Sequence, residues 1–220
     1  MGNLGSDEER IVFDLDGVLL NSEEDFDWLD EALICALKEL GIEDTPENVE
    51  KLYPGKLRDF RHVVRKFSHK PEIIWQVRDK HYVDKKISMI EKGNMRPFDD
   101  VDLIWELKDR YTLGIISNSP QIVVDKFVQS YGYSDLFVFW LGRGSEMSDL
   151  NKIKPHPYLY DKMVEQIGEG PTWYVGDRDL DEEFAQNTGM KFVLVSRNGT
   201  GFVSLSQLVD YFLRYRGSGS

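Results

Sequence analysis

The sequence predicts an α/β protein, a doubly wound parallel sheet carrying an inserted helical domain. Two observations lead there. Short apolar runs at residues 11–13, 113–116, 136–141, 172–175 and 192–195 have the length of buried strands, and most are separated by stretches with helical apolar spacing. Strands joined through helices require right-handed crossovers, hence a parallel sheet covered on both faces. Between the first and second runs, residues from about 22 to 93 carry helical spacing only. Residues 1–20 and 94–216 are therefore assigned to the α/β core and 21–93 to the insert. The terminal Gly-Ser-Gly-Ser at 217–220 reads as a linker or tag remnant.

In chain order, the first ten residues are polar and expected to be loose. Ile11, Val12 and Phe13 form the first strand, and Asp14, Asp16 and Gly17 follow at its exit. Ser22 is a candidate N-cap, with Asp25 three residues on as in a capping box. Phe26, Leu29, Leu33, Ala36, Leu37 and Leu40 recur at helical spacing up to Gly41. Thr45-Pro46 opens a second helix. A third is expected over 56–67, with Phe60, Val63, Val64 and Phe67 as its stripe, and a fourth from Pro71 to near Gly93.

Beyond Pro97, a helix at 101–110 leads into the strand at 113–116 and then Ser117-Asn118-Ser119-Pro120, where Ser119 is a candidate N-cap. A helix reaches Tyr131, with Gly132 as its stop. Residues 143–152 read as loop. Further helices are expected at 158–167, from Asp179 (a candidate N-cap) to Thr188, and at 205–215.

Composition narrows the function. Against 27 basic residues stand 39 acidic ones, a net charge of −12, which argues against general nucleic-acid affinity. A small anionic substrate stays possible, because a local field can oppose the net charge. Cys35 is the single cysteine, so no internal disulfide forms, and a reducing, cytoplasmic setting fits. No signal peptide or membrane-spanning run is evident. The four histidines have no metal-ligand spacing.

The chemistry-bearing residues gather at strand ends. Asp14 and Asp16, Ser117, and Asp177 each follow an apolar run, and Lys154 opens a helix. Ligands of open α/β sheets bind at the carboxyl ends of the strands. Paired carboxylates suit Mg²⁺, while a lysine and a hydroxyl suit phosphoryl oxygens, and together they suit phosphoryl transfer.

Four motifs, Asp14-Leu-Asp-Gly-Val, Ser117-Asn-Ser, Lys154-Pro-His-Pro and Gly176-Asp-Arg-Asp-Leu-Asp181, resemble those of the haloacid dehalogenase superfamily, in its phosphoglycolate phosphatase and β-phosphoglucomutase-like branch. The resemblance runs from Ile11 to Gly199. It implies a Rossmann-like core with an α-helical cap over 21–93, and a Mg²⁺-dependent phosphatase acting on a small phosphorylated metabolite. Asp14 would be the nucleophile forming an aspartyl-phosphate, and Asp16 the general acid and base. Asp14, Asp177 and Asp16, the last through its backbone carbonyl, would hold Mg²⁺. Ser117, Asn118 and Lys154 would bind the phosphoryl group, and Asp181 would support the metal or orient Lys154. In the cap, the basic residues of 56–67 read by default as a solvated helix face, and the sharper alternative is that Arg58, Arg61 or Arg65 reaches a second anionic group of the substrate. Arg178 departs from the motif, which usually carries a small hydroxyl residue there. A phosphosugar mutase would share every motif. A non-catalytic binding protein on the same scaffold is the other alternative.

Overall fold

The computed structural model describes residues 8–197 and 201–215; the Gly-Ser-Gly-Ser at 217–220 lies outside them. The core is a five-stranded, all-parallel sheet in the order β3-β2-β1-β4-β5. Its strands are β1 (Arg10–Phe13), β2 (Thr112–Pro120), β3 (Phe139–Arg143), β4 (Thr172–Gly176) and β5 (Lys191–Leu194). β1 is central. The chain builds outward to β3 on one side and then returns to place β4 on the other. The crevice at that reversal is where such sheets bind ligands.

Alternation along β1 sends Ile11 and Phe13 to one face and Val12 to the other, where they join two different apolar clusters. The helices of the core are α5 (Gln121–Ser130), α6 (Tyr158–Ile167), α7 (Asp179–Thr188) and α8 (Leu205–Arg214). α5 and α8 add Val123, Phe127, Leu208 and Phe212 to the first cluster, and α6 and α7 add Leu159, Met163 and Phe184 to the second. The sheet is thus covered on both faces, as its continuous apolar runs require.

Between β1 and β2 come α1 (Asp27–Glu39), α2 (Pro46–Leu52), α3 (Phe60–Val63) and α4 (Pro71–Glu91). α1 packs against α4, and the Trp28, Leu33, Leu37, Phe60 and Trp75 side chains join the same cluster as Ile11 and Phe13. The expected helix at 56–67 is broken: 3₁₀ turns at Leu57–Asp59 and Val64–Lys66 flank the single turn of α3. Phe60 and Val64 are the residues it buries, so two anchors set the path and not a full helical stripe.

Other expectations need correction. Arg10 is not loose. It belongs to β1, fully buried, and its guanidinium donates to the Gly168 and Glu169 carbonyls at 2.7 and 2.9 Å. Segment 101–110 is a 3₁₀ helix over Val101–Leu107. β2 runs on through Ser117-Asn118-Ser119, and β3 begins three residues later than its apolar run and takes in Arg143. A 3₁₀ turn at Tyr133–Asp135 precedes that run, and the run's first residues, Leu136 and Phe137, are buried outside the strand. Ser22 caps no helix, since α1 starts at Asp27, and Ser119 caps none either. Both hydroxyls serve Asp16 instead.

Candidate active site

Asp14 directly follows β1, and its backbone N–H still donates to the Val175 carbonyl of β4 at 2.8 Å. That bond brings the ends of β1 and β4 together, and with them Asp14 and Asp177. Gly17 makes the approach possible. It has φ +76°, and a Cβ there would overlap the Asp177 carboxylate.

Asp14, Asp177 and Asp181 each offer a carboxylate oxygen, the three atoms lying within 4.8 Å of one another. Asp177 Oδ1 is buried and has no hydrogen-bond partner among the described residues, and buried Asp14 Oδ2 has the Lys154 ammonium as its nearest partner, at 3.0 Å. Orphaned, buried carboxylate oxygens carry a large desolvation cost unless a cation serves them. The all-oxygen donor set fits a hard divalent cation. Burial pushes Asp14 up to about 6, against the opposing pull of Lys154 and with the push of Asp181. Burial and then the Asp14 charge push Asp177 up to about 8.

Lys154 lies behind Asp14, fully buried. Its Nζ is 3.0 Å from Asp14 Oδ2, 2.6 Å from Asp181 Oδ1 and 2.7 Å from the Tyr174 hydroxyl. The Tyr174 hydroxyl donates in turn to the Ile116 carbonyl at 2.8 Å. Burial favours the neutral amine, but the two carboxylates outweigh it and raise the Lys154 pKa. Asp181 also accepts from the Asp177 and Arg178 backbone N–H groups at 3.2 and 3.3 Å, so one side chain orients both Lys154 and the Asp177 turn. Asn118 clamps the Lys154 backbone: its Oδ1 accepts from Lys154 N at 2.8 Å and its Nδ2 donates to Lys154 O at 3.3 Å. Ser117 is buried, with its Oγ accepting from Ser119 N at 3.1 Å.

Asp16 faces away from the acidic trio. Its carboxylate accepts from Ser22, from Ser119 at 2.6 Å, and from the buried ammonium of Lys86 on α4. Burial alone would raise it, but the Lys86 charge and these three donors hold it at about 2. Lys86 also meets Ser119 at 2.9 Å and the Tyr82 hydroxyl at 3.2 Å.

These groups border a cavity of about 290 Å³ between the helical insert and the sheet edge. Seven of its lining side chains are cationic and three are carboxylates, a local reversal of the net charge of −12. Asp16, Ser117, Asn118 and Lys154 line it. Arg58 lines it too, donating to the Ile153 carbonyl at 2.8 Å and so tying the insert to the core. Arg61 is exposed and pairs with Glu72 at 2.7 Å, and Arg65 is exposed; neither lines the cavity. Arg178 lies beside the acidic trio, 3.5 Å from Asp177 and 3.8 Å from Asp14, and 3.3 Å from Glu23, so it adds positive charge there.

Sequence reasoning missed Lys86, Ser22, Ser119 and Tyr174 as site residues, and also Arg78 and Arg143, which line the cavity. α4 holds a usable signal. Arg78, Tyr82 and Lys86 recur every four residues, a polar stripe on one helix face.

The comparisons agree with this architecture. No curated protein matches the chain. Among solved structures, a HAD-superfamily hydrolase of subfamily IA from Geobacter sulfurreducens is similar at 19% identity and TM-score 0.60, covering 95% of this chain and 98% of that one. CbbY from Rhodobacter sphaeroides in complex with phosphate is similar at 17% identity and TM-score 0.65, covering 90% and 92%. A predicted phosphoglycolate phosphatase from Haemophilus somnus is similar at 22% identity and TM-score 0.62, covering 90% and 89%. At such identities the likeness establishes the fold. Residues 11–195 match the family of haloacid dehalogenase-like hydrolases, a span that takes in every strand but the first residue of β1, and the chain belongs to that family.

Proposed function

We propose that this protein is a Mg²⁺-dependent phosphatase that hydrolyses a small phosphorylated metabolite through an aspartyl-phosphate. The reading rests on one observation above the rest: Asp14 Oδ2 is buried, and its nearest partner among the described residues is the Lys154 ammonium at 3.0 Å. A carboxylate in that setting has no packing role. It is oriented, desolvated and available to attack phosphorus. The reading places residues 21–93 over the site as its cap.

Asp14, Asp177 and the Asp16 backbone carbonyl would hold the Mg²⁺. When bound, the ion screens the repulsion between carboxylate and phosphate. The chain's own groups do the rest. Lys154 neutralises phosphoryl charge, Ser117 donates a hydrogen bond to it, and Asn118 fixes Lys154 by its backbone. Tyr174 and Asp181 hold the Lys154 ammonium on target.

Asp16 at about 2 is a carboxylate at neutral pH, the form that activates water in the second step. To protonate the leaving alcohol in the first step it must part from Lys86, which sits on the cap. Substrate entering between cap and core supplies that separation, and the acid role is thereby coupled to occupancy of the site.

The test is phosphate release from a panel of small phosphoesters, with Mg²⁺ and with chelator, for the wild type and Asp14→Asn. Metal-dependent turnover lost in Asp14→Asn is the expected result. Turnover that survives the substitution would overturn the nucleophile assignment.

A further inference from the structure

The cavity holds a cation that the chemistry above does not use. Arg78 lies on α4, two turns before Lys86 and on the same helix face. Its side chain is 1% exposed, yet it lines the cavity. Its Nε donates to the Leu52 carbonyl at 3.2 Å. Its Nη1 is 3.6 Å from Asp79 Oδ1, beyond hydrogen-bond reach. Its Nη2 is buried and has no hydrogen-bond partner among the described residues.

Asp79 cannot satisfy it, because Asp79 is already taken. Both of its oxygens accept from the Arg143 guanidinium at the end of β3, one of them at 3.2 Å. Two buried arginines therefore share one carboxylate. The other buried cations of the cavity are matched, Lys86 by Asp16 and Lys154 by Asp14 and Asp181. A buried, uncompensated guanidinium is costly, and its unfilled N–H adds to that cost. A structural role leaves the cost unexplained. The rings of Tyr82, Trp75 and Tyr53, at 4.7, 5.3 and 5.5 Å from the guanidinium carbon, steady its plane but accept nothing from Nη2 in the manner of an anion.

We infer that Arg78 anchors a second anionic group on the substrate, a carboxylate or a second phosphate, at the end remote from the transferring phosphoryl group. This deepens the phosphatase reading and rests on it for the identity of the first group. It places the second-anion contact on α4, and not on the 56–67 segment where the basic residues of the sequence cluster. The rigid aromatic box makes the contact preorganised, so little ordering cost is left for binding. The unmatched charge makes it selective: a substrate without the second anion leaves the guanidinium unpaired, whereas one that has it completes the pair.

Two matched pairs of phosphoesters test this, both in Mg²⁺. 3-Phosphoglycerate against glycerol 3-phosphate asks about a carboxylate, and glucose 1,6-bisphosphate against glucose 6-phosphate asks about a phosphate. Kinetics use the wild type, Arg78→Lys and Arg78→Met. Calorimetric binding uses Asp14→Asn with and without the Arg78 substitutions. The wild type should prefer the dianchored member of at least one pair by roughly ten- to a hundredfold in kcat/KM, through KM. Arg78→Met should erase that preference, Arg78→Lys should keep part of it, and the singly anionic partner should change by less than about threefold. No preference in either wild-type pair overturns the inference, as does an equal loss for both members of a pair. Circular dichroism confirms folding. Were Arg78→Met unable to fold, the wild-type preference and the Arg78→Lys arm decide. Selective binding by Asp14→Asn without turnover of any phosphoester by the wild type would sink the phosphatase reading and leave this one standing.

Discussion

Binding of Mg²⁺ should expel about one proton at neutral pH, and the number follows from the site. Asp177 is pushed up to about 8 and Asp14 up to about 6, each first by burial. At pH 7 Asp177 is then about 90% protonated and Asp14 about 10%, so the pair together carries about one proton. A cation needs both as carboxylates, so that proton must leave. Calorimetric titration of the metal-free protein with Mg²⁺, in buffers of differing ionisation enthalpy, reads the release as a slope. The expected slope is about one proton at pH 7, falling toward zero at pH 9, with affinity rising about tenfold between the two. The sign carries to folding. A carboxylate whose pKa is raised in the folded state destabilises that state as pH rises from its unfolded value of 3.8 through about 8. The metal-free protein should therefore lose Tm across that window, and Mg²⁺ should restore it. A slope near zero at pH 7, or an affinity flat from pH 7 to 9, would refute the buried, partner-poor picture of this pair.

Lys86→Met should destabilise the fold by about 3–5 kcal/mol at pH 7, because it strands the buried Asp16 carboxylate. With Asp16 lowered from 3.8 to about 2, the intact pair contributes about 2 kcal/mol that is present above pH ~4 and lost as pH falls through about 2. Chemical melts at pH 7 and pH 4 should show a smaller penalty at the lower pH, because in Lys86→Met burial raises the stranded Asp16 and it takes up a proton there, while the intact pair keeps its contribution; equal penalties would refute the pairing. Arg178→Ser should tighten Mg²⁺ binding by roughly three- to tenfold, since it removes a half-exposed charge within 4 Å of Asp14 and Asp177; weaker binding would instead mark Arg178 as a support of the site. Gly17→Ala meets both a positive φ and the Asp177 carboxylate, and should cost about 1–3 kcal/mol of stability with a more than tenfold loss of Mg²⁺ affinity, read by melting and titration.

The candidate site was legible because its acids stand at the ends of apolar runs and its other groups gain meaning beside them. Asp14, Ser117 and Asp177 follow short apolar runs, and an acid or hydroxyl at the end of a buried strand has few other uses. Apolar periodicity likewise marked α1 and α4 and the parallel sheet, since burial on both faces leaves continuous runs, and the Thr45-Pro46 start signal marked α2. The errors fell where a side chain's role depends on a distant partner. Ser22 and Ser119 carry the local signature of helix caps, yet Asp16 claims both hydroxyls. Arg143 read as loop because a charge ends the apolar run of β3, yet Asp79 on α4 pairs with it in the interior. The segment 56–67 read as a helix from its spacing, but two buried anchors and 3₁₀ turns set its course.

The sequence by itself determined the sheet, the insertion of helices after β1, and the convergence of Asp14, Ser117, Lys154 and Asp177, because strand periodicity and connection handedness are local properties that propagate into topology. The tertiary structure alone decided which cations face those acids. Lys86 lies 70 residues from Asp16 and Asp79 lies 64 from Arg143. On an isolated helix such residues are indistinguishable from a solvated face. Only the packing of α4 over the sheet edge removes them from water, and removal from water is what turns a surface charge into a clamp on Asp16 or into the buried guanidinium of Arg78.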